Sequence, residues 1–294
     1  MKYIIAIIRL LRPAHWVKNG FIFFPILFSE ELFKSPFLSK AVMAFASMSI
    51  LASSVYVIND IADAKADRLH PIKCNRPIAS GEISLPIAVF LVVFLFISAF
   101  SIVYFSDVPV MSLLIVYFLV NILYSFELKN IPIIDVFLIA TGFLIRLFVG
   151  VSISEVEPSN WMLITFFFLA LFLGFGKRRG EINAYGSESK NFRKVNANYS
   201  IAFLDQVISS LGTIIIICYT LYTTIGEGVR FGKGMIFTTI FVIIGIFYYF
   251  KLLKEKDVIQ SPTALFFSDR IMFTIVSFWL ASCILIIYFS KGLL

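Results

Sequence analysis

The sequence predicts an all-α polytopic membrane protein: one integral membrane domain over residues 1–294, built from nine transmembrane helices. Three observations carry this. Mean hydropathy is +0.93. Only 15% of the residues are charged, where soluble domains hold about a quarter. The apolar residues, 34 Phe among them, fall into nine runs, most of them close to the ~20 residues a helix needs to cross a hydrocarbon core.

The chain opens with MKYIIAIIRLLRPAHW. Its apolar core is short and interrupted by Arg9 and Arg12, and no small-residue cleavage site follows, so a signal peptide fits poorly. An amphipathic helix on the membrane surface fits better. The nine runs cover approximately residues 19–34, 41–59, 85–105, 109–126, 133–152, 160–176, 205–225, 235–251 and 271–290. The first is the weakest, because FIFFPILF is short and carries Pro25. With the N-terminus in the cytoplasm, nine spans put 19 Lys and Arg inside and 5 outside, with Arg146 left within a span. That asymmetry follows the positive-inside rule and puts the C-terminus outside. If the first run did not cross, the split would blur to 15 against 9.

The net charge of +7 therefore reads as basic cytoplasmic loops rather than a nucleic-acid surface. Cys74, Cys218 and Cys283 are scattered and odd in number, which predicts free thiols and no metal cluster. His15 and His70 form no metal site together, and His15 beside Trp16 suits the membrane interface.

The polar residues concentrate in two places on the cytoplasmic side. In Asn59–Gly81, Asp60, Asp63 and Asp67 follow an i, i+3, i+7 spacing. At 100° per residue they share about 60° of a helix face. Three such carboxylates call for a cation, and Mg²⁺ takes a few carboxylates together with substrate phosphate oxygens. Asn59 adds a neutral oxygen; Arg68, Lys73 and Arg76 suit the phosphate oxygens the metal leaves. A solvated loop with locally paired charges is the competing reading. The second cluster, GKRRGEINAYG, places Lys177, Arg178 and Arg179 beside Glu181 at the end of the sixth run. Its competing reading is a positive-inside anchor. Arg146, deep within the fifth run, is expensive unless it faces a partner or a wet cavity. A cavity opening inward, with Arg146 below and the acidic stripe at its mouth, is the favoured reading; a structural pair with an acidic neighbour, for which Asp135 eleven residues earlier on a similar face stands nearest, competes with it.

NDIADAKADR resembles NDxxDxxxD, the first aspartate-rich motif of the UbiA superfamily of intramembrane prenyltransferases. RPAHWVKNGFIFFPILFS, HPIKCNRPIASGEIS, LKNIPIIDVFLIATGFLIR and LFLGFGKRRGE are similar to one branch of it, the decaprenyl-phosphate phosphoribosyltransferases. The resemblance implies a nine-helix UbiA-like bundle and Mg²⁺ bound by Asn59, Asp60, Asp63 and Asp67. It also implies transfer of 5-phosphoribosyl from phosphoribosyl pyrophosphate (PRPP) to a polyprenyl phosphate at the cytoplasmic membrane face. Lys18 and Asn19, in WVKN, would close the site. Arg68, Lys73, Arg76, Arg146, Lys177, Arg178, Arg179 and Glu181 would line it. One departure matters: the loop Lys177–Tyr199 holds Glu181 and Glu188 but not the second DxxxD motif of typical prenyltransferases. The alternatives are an ordinary polyprenyl diphosphate transferase with an aromatic acceptor and, from another class, a transporter.

Overall fold

The computed structural model describes residues 2–69, 73–154, 156–186, 189, 194–255, 265 and 268–289. His70, Glu188, Lys190, Arg193, Lys256 and Lys291 lie outside the described residues. The helices are α1 (Lys2–Leu11), α2 (Phe23–Phe28), α3 (Ser35–Asp67), α4 (Leu85–Phe105), α5 (Met111–Phe126), α6 (Ile134–Val151), α7 (Asn160–Tyr185), α8 (Ile201–Thr224), α9 (Thr238–Lys254) and α10 (Arg270–Phe289). No strand occurs among the described residues.

Among the described residues, seven helices are long and apolar enough to cross a membrane: α3, α4, α6, α7, α8, α9 with its lead-in from Lys233, and α10. Two of the nine expected spans are not among these seven. The first expected span is no continuous α-helix: Pro13–Ile22 is a 3₁₀ segment, and the six residues of α2 follow. Pro13 and Pro25 lack the N–H an α-helix needs in its interior. The fourth, α5, is apolar but only 16 residues long; the polar Glu127 and Lys129 follow at once.

The chain forms two compact units, Met1–Ile131 with Ile145–Glu155 and Pro132–Leu144 with Val156–Leu294. In the first unit, α3 is the axis. Its buried residues are largely Ala and Ser: Ala41, Ala44, Ser47, Ala52, Ser53 and Ser54. Small residues let helices approach closely where apolar burial gives no driving force. Ser47 Oγ donates to Ala99 O at 2.7 Å and Ser54 Oγ to Val92 O at 3.3 Å, tying α4 to α3. Ile22, Ile26, Met48, Leu51, Leu114 and Val149 fill the core beside them. Gly150 of α6 is needed here, because a Cβ would meet Ile22 O at 2.2 Å. α1 packs Ala6 and Leu10 against Val57, Ile78 and Ile83, and leaves Ile4, Ile5 and Ile8 exposed.

The second unit packs α7, α8, α9 and α10 around Phe172, Leu204, Ile208, Ile246, Tyr249 and Met272. Ser159 and Ser200 cap α7 and α8 by accepting from Met162 N and Phe203 N, each satisfying one orphan donor of a helix start. Outward faces are apolar, as Phe90, Phe94 and Ile97 on α4 and Phe278 on α10 show. In water such faces would aggregate; in lipid they are the ordinary surface. All three cysteines are free.

Candidate active site

The length of α3 places the aspartates. Ala41–Ile58 carries no charge and rises about 27 Å, near the thickness of a hydrocarbon core. Asn59–Asp67 continues the same helix about 13 Å further. Asp60, Asp63 and Asp67 do lie on this helix, as their spacing predicts, but each already has a cationic partner. Arg12 and Arg76 both donate to Asp60 Oδ1, the latter at 3.0 Å. Arg76 also donates to Asp67 Oδ2 at 2.7 Å. Lys129 Nζ lies 2.6 Å from Asp63 Oδ1. Asp60 and Asp67 are buried, while Asp63 is more open, at 37% side-chain exposure. Half-buried Asn59 adjoins Asp60 on the helix.

Arg68 is exposed at the helix end and donates from Nε to Ala79 O at 3.3 Å, fixing the turn that carries Arg76. Lys73 is half-buried in the short 3₁₀ turn Lys73–Asn75. Glu82 accepts from Arg9, and that bond, with the nearby positive charge, holds its carboxyl below the usual range. Thus α1, the end of α3 and the loop to α4 converge at one end of this unit.

Deeper in the same unit is a cationic group. Arg146 donates from Nε to Asn19 Oδ1 at 2.6 Å and from Nη2 to Tyr117 OH at 2.9 Å. Its guanidinium carbon lies 4.9 Å from the Tyr117 ring centre. Asn19 Nδ2 donates to Ser49 Oγ at 2.9 Å, so the Asn19 amide is a strut between α3 and Arg146. Lys18 is half-buried beside them and has no carboxylate partner among the described residues. Burial, with the positive charges of Arg146 and Arg12, pulls its ammonium down to about 8. A cation in that position is short of an anion.

Asp135, the acidic neighbour considered for Arg146, pairs with another arginine. Asp135 lies in the second unit and belongs to Arg178. Arg178 Nε is 2.7 Å from Asp135 Oδ2, and its Nη1 is 2.9 Å from Glu181 Oε2. Arg178 and Asp135 are wholly enclosed. Tyr199 OH donates to Asp135 Oδ1 at 2.8 Å and accepts from Ile133 N at 2.5 Å. Burial first, then the neighbouring Asp135, pushes the Tyr199 phenol up to about 12, despite the Ile133 N–H bond. Asn196 Nδ2 reaches Glu181 Oε2 at 3.3 Å. Arg179 donates to Asp205 Oδ1 at 2.8 Å and to Leu253 O. Two of the three KRR cations are thus spent fastening α7 to α6, α8 and α9. Lys177 is half-buried on the same helix end.

The model of the UbiA prenyltransferase family matches residues 22–273. The chain belongs to the UbiA prenyltransferase family. A decaprenyl-phosphate phosphoribosyltransferase of Mycobacterium tuberculosis (strain CDC 1551 / Oshkosh) is 27% identical over 281 residues, covering 94% of this chain and 92% of that protein. One from Mycolicibacterium smegmatis is 30% identical over 221 residues, covering 74% and 70%. The fold matches that of a UbiA homologue from Archaeoglobus fulgidus bound to GPP and Mg²⁺, with TM-score 0.75 at 18% identity over 96% of this chain and 99% of that one.

In this UbiA transferase the first aspartate-rich motif is thus a helix end facing its own arginines and lysine. Sequence reasoning missed Arg12 and Lys129 as its neighbours, and Tyr117 as the partner of Arg146. Arg12 stands in the RPAHWVKN segment and was legible only as part of that motif. Its partner is 48 residues away, and nothing local signals the pairing.

Proposed function

We propose that this protein transfers 5-phosphoribosyl from PRPP to a polyprenyl phosphate at the cytoplasmic membrane face. The carrying observation is the pairing of an aspartate-bearing helix end with a deeper cation, Lys18, that lacks a carboxylate. Likeness to phosphoribosyltransferases over nearly the whole chain supports it, as does the basic loop where DxxxD would stand.

The donor set fits a hard dication in part. Among the described residues no three acidic, His or Cys side chains converge into a ready cage, because Asp60 and Asp67 turn to Arg76 while Asp63 turns to Lys129. Each of the three carboxylates keeps one oxygen outside these pairs. Mg²⁺ is commonly held by one or two carboxylates plus substrate phosphates and waters. Asp60 and Asp63, with Asp67 and Asn59 in support, fit that mode. The bound ion would supply Lewis-acid stabilisation of the leaving pyrophosphate.

The chain's own residues do the rest. Arg12, Arg68, Lys73, Arg76 and Lys177 offer guanidinium and ammonium donors to phosphate oxygens. Lys18, beside Arg146, takes a phosphate that the metal does not cover. The C1–oxygen bond of PRPP breaks, and its electron pair leaves with pyrophosphate. A lipid phosphate oxygen forms the new bond to C1. That oxygen is already an anion, so no strong general base is required, and catalysis is positioning and electrostatics. Arg178, Arg179 and Glu181 fix the frame of the second unit.

The test is purified protein with Mg²⁺, PRPP and a polyprenyl phosphate, read by mass spectrometry of the lipid. The expected gain is one phosphoribosyl group. EDTA should abolish it, and Asp63→Asn should lower turnover about a hundredfold in protein that melts normally. Prenyl transfer to an aromatic acid in place of that product would establish the ordinary prenyltransferase reading. Flux of a solute without PRPP would establish a transporter.

A further inference from the structure

We propose that Arg12 and Arg76 are exchange partners: they occupy the metal-binding carboxylates of the resting site and pass to the diphosphate of the donor. The inference rests on the reading of Asp60 as a metal ligand. Its consequence is that dication and diphosphate bind well only together.

The argument starts from charge. Asp60, Asp63 and Asp67 are matched by Arg12, Arg76 and Lys129, three against three. The cluster is neutral as it stands. A dication arriving alone would add two positive charges and would have to dislodge guanidiniums from Asp60, a carboxylate only 2% exposed. Those guanidiniums would then be partly buried beside a like charge, which is costly. A dication arriving with a diphosphate adds net negative charge. The guanidiniums then trade carboxylate for phosphate oxygens, an equally good planar fork, and the carboxylates turn to the metal. Neither group is left without a partner at any stage.

Geometry supports the same movement. Arg12 is the residue where α1 breaks, at φ 52 and ψ 56. That left-handed conformation is strained for a non-glycine residue, and Pro13 after it further disfavours an α-like backbone there. Strain of this kind persists where surrounding contacts fix it, and the Asp60 pair is such a contact. The Arg12 guanidinium carbon also lies 5.2 Å from the ring centre of Tyr56. The ring face can keep that cation in place while its donors change partner. Arg76 bridges two carboxylates, Asp60 and Asp67, so moving it releases both.

The test uses Mn²⁺, an EPR-visible probe for this class of site, on full-length protein in detergent. Without phosphate, Arg12→Gln and Arg76→Gln should each bind Mn²⁺ about tenfold more tightly than the wild type. In EDTA, the same variants should bind inorganic pyrophosphate more weakly by calorimetry. Opposite signs for metal and diphosphate are the signature of exchange. Asp60→Asn should lose the Mn²⁺ site. Lys18→Met, which removes a nearby charge but no carboxylate partner, should tighten Mn²⁺ far less. Either arginine variant suffices if the other fails to fold, since each holds Asp60. Equal tightening by Lys18→Met would make the effect general electrostatics and overturn the proposal. So would arginine variants no tighter than wild type, or an intact Mn²⁺ site in Asp60→Asn. A missing phosphoribosyl product in the enzyme assay would sink the choice of substrate and leave these outcomes unchanged.

Discussion

A single residue, Lys18, ties the site's charge to pH. Its ammonium is held to about 8 by burial and by Arg146 and Arg12. A phosphate bound beside it would favour the charged form and raise that value in the complex. The sign follows from linkage: below about 8 the lysine is charged in free and bound protein alike, and affinity is flat. Above 8 the free protein must take up a proton to bind, so affinity falls by up to about tenfold per pH unit. Affinity for a non-hydrolysable PRPP analogue, measured by calorimetry between pH 6 and 10 (a range of about four units), should show this falling limb. Lys18→Arg should move the limb out of range, because a guanidinium does not titrate there. A limb that persists in Lys18→Arg would assign it to another group. Deletion of the charge in Lys18→Met should instead lower affinity at every pH.

At the scale of elements, Gly150 fixes how the broken N-terminal segment meets α6. An alanine Cβ would lie 2.2 Å from Ile22 O and 2.9 Å from Pro25 Cδ. A backbone carbonyl cannot rotate away as a side chain can, so Gly150→Ala should cost about 1–3 kcal/mol. The melting temperature in detergent should fall by several degrees; an unchanged value would mean that the segment is free to shift. The contact also marks where sequence reading stops. Runs of apolar residues gave α4, α6, α8 and α10 to within a few residues, and the start of α7 but not its end at Tyr185, since lipid obliges every spanning backbone to close its own hydrogen bonds. The stretch 19–34 was apolar enough to be taken for a spanning helix, but composition says nothing of the 3₁₀ path that leads into it. The aspartate face was legible because it depends on spacing within one helix. Its counter-charges were not, since Arg12, Lys129 and the Asp135–Arg178 pair join residues more than 40 positions apart. Only folding brings those together.

For the whole molecule, we propose from the nine expected spans and their basic excess that the Asp60–Arg76 and Lys177–Lys194 segments are cytoplasmic. Within the first unit, the Arg12–Asp60 pair puts the end of α1 beside the Asp60 end of α3. In a background without Cys74, Cys218 and Cys283, cysteine at exposed Ser152 should react with an impermeant maleimide on intact cells. Cysteine at exposed Ser80 or Lys254 should react only after permeabilisation. Labelling of Ser80→Cys on intact cells would invert the assignment.

The extra reach of α3 beyond its uncharged stretch acts as a ruler. It holds the aspartates at a fixed height above the hydrocarbon, set by one rigid rod. In the proposed reaction an acceptor's phosphate would wait at the headgroup plane, with its tail entirely below. Adding isoprene units lengthens the part of the molecule that never meets the sugar. Short and long polyprenyl phosphates in nanodiscs should therefore share one kcat within a few-fold while differing in KM, as uniform binding dictates. A kcat that falls steeply with shorter tails would mean that the tail contributes in the transition state, and that the ruler does not set the geometry alone.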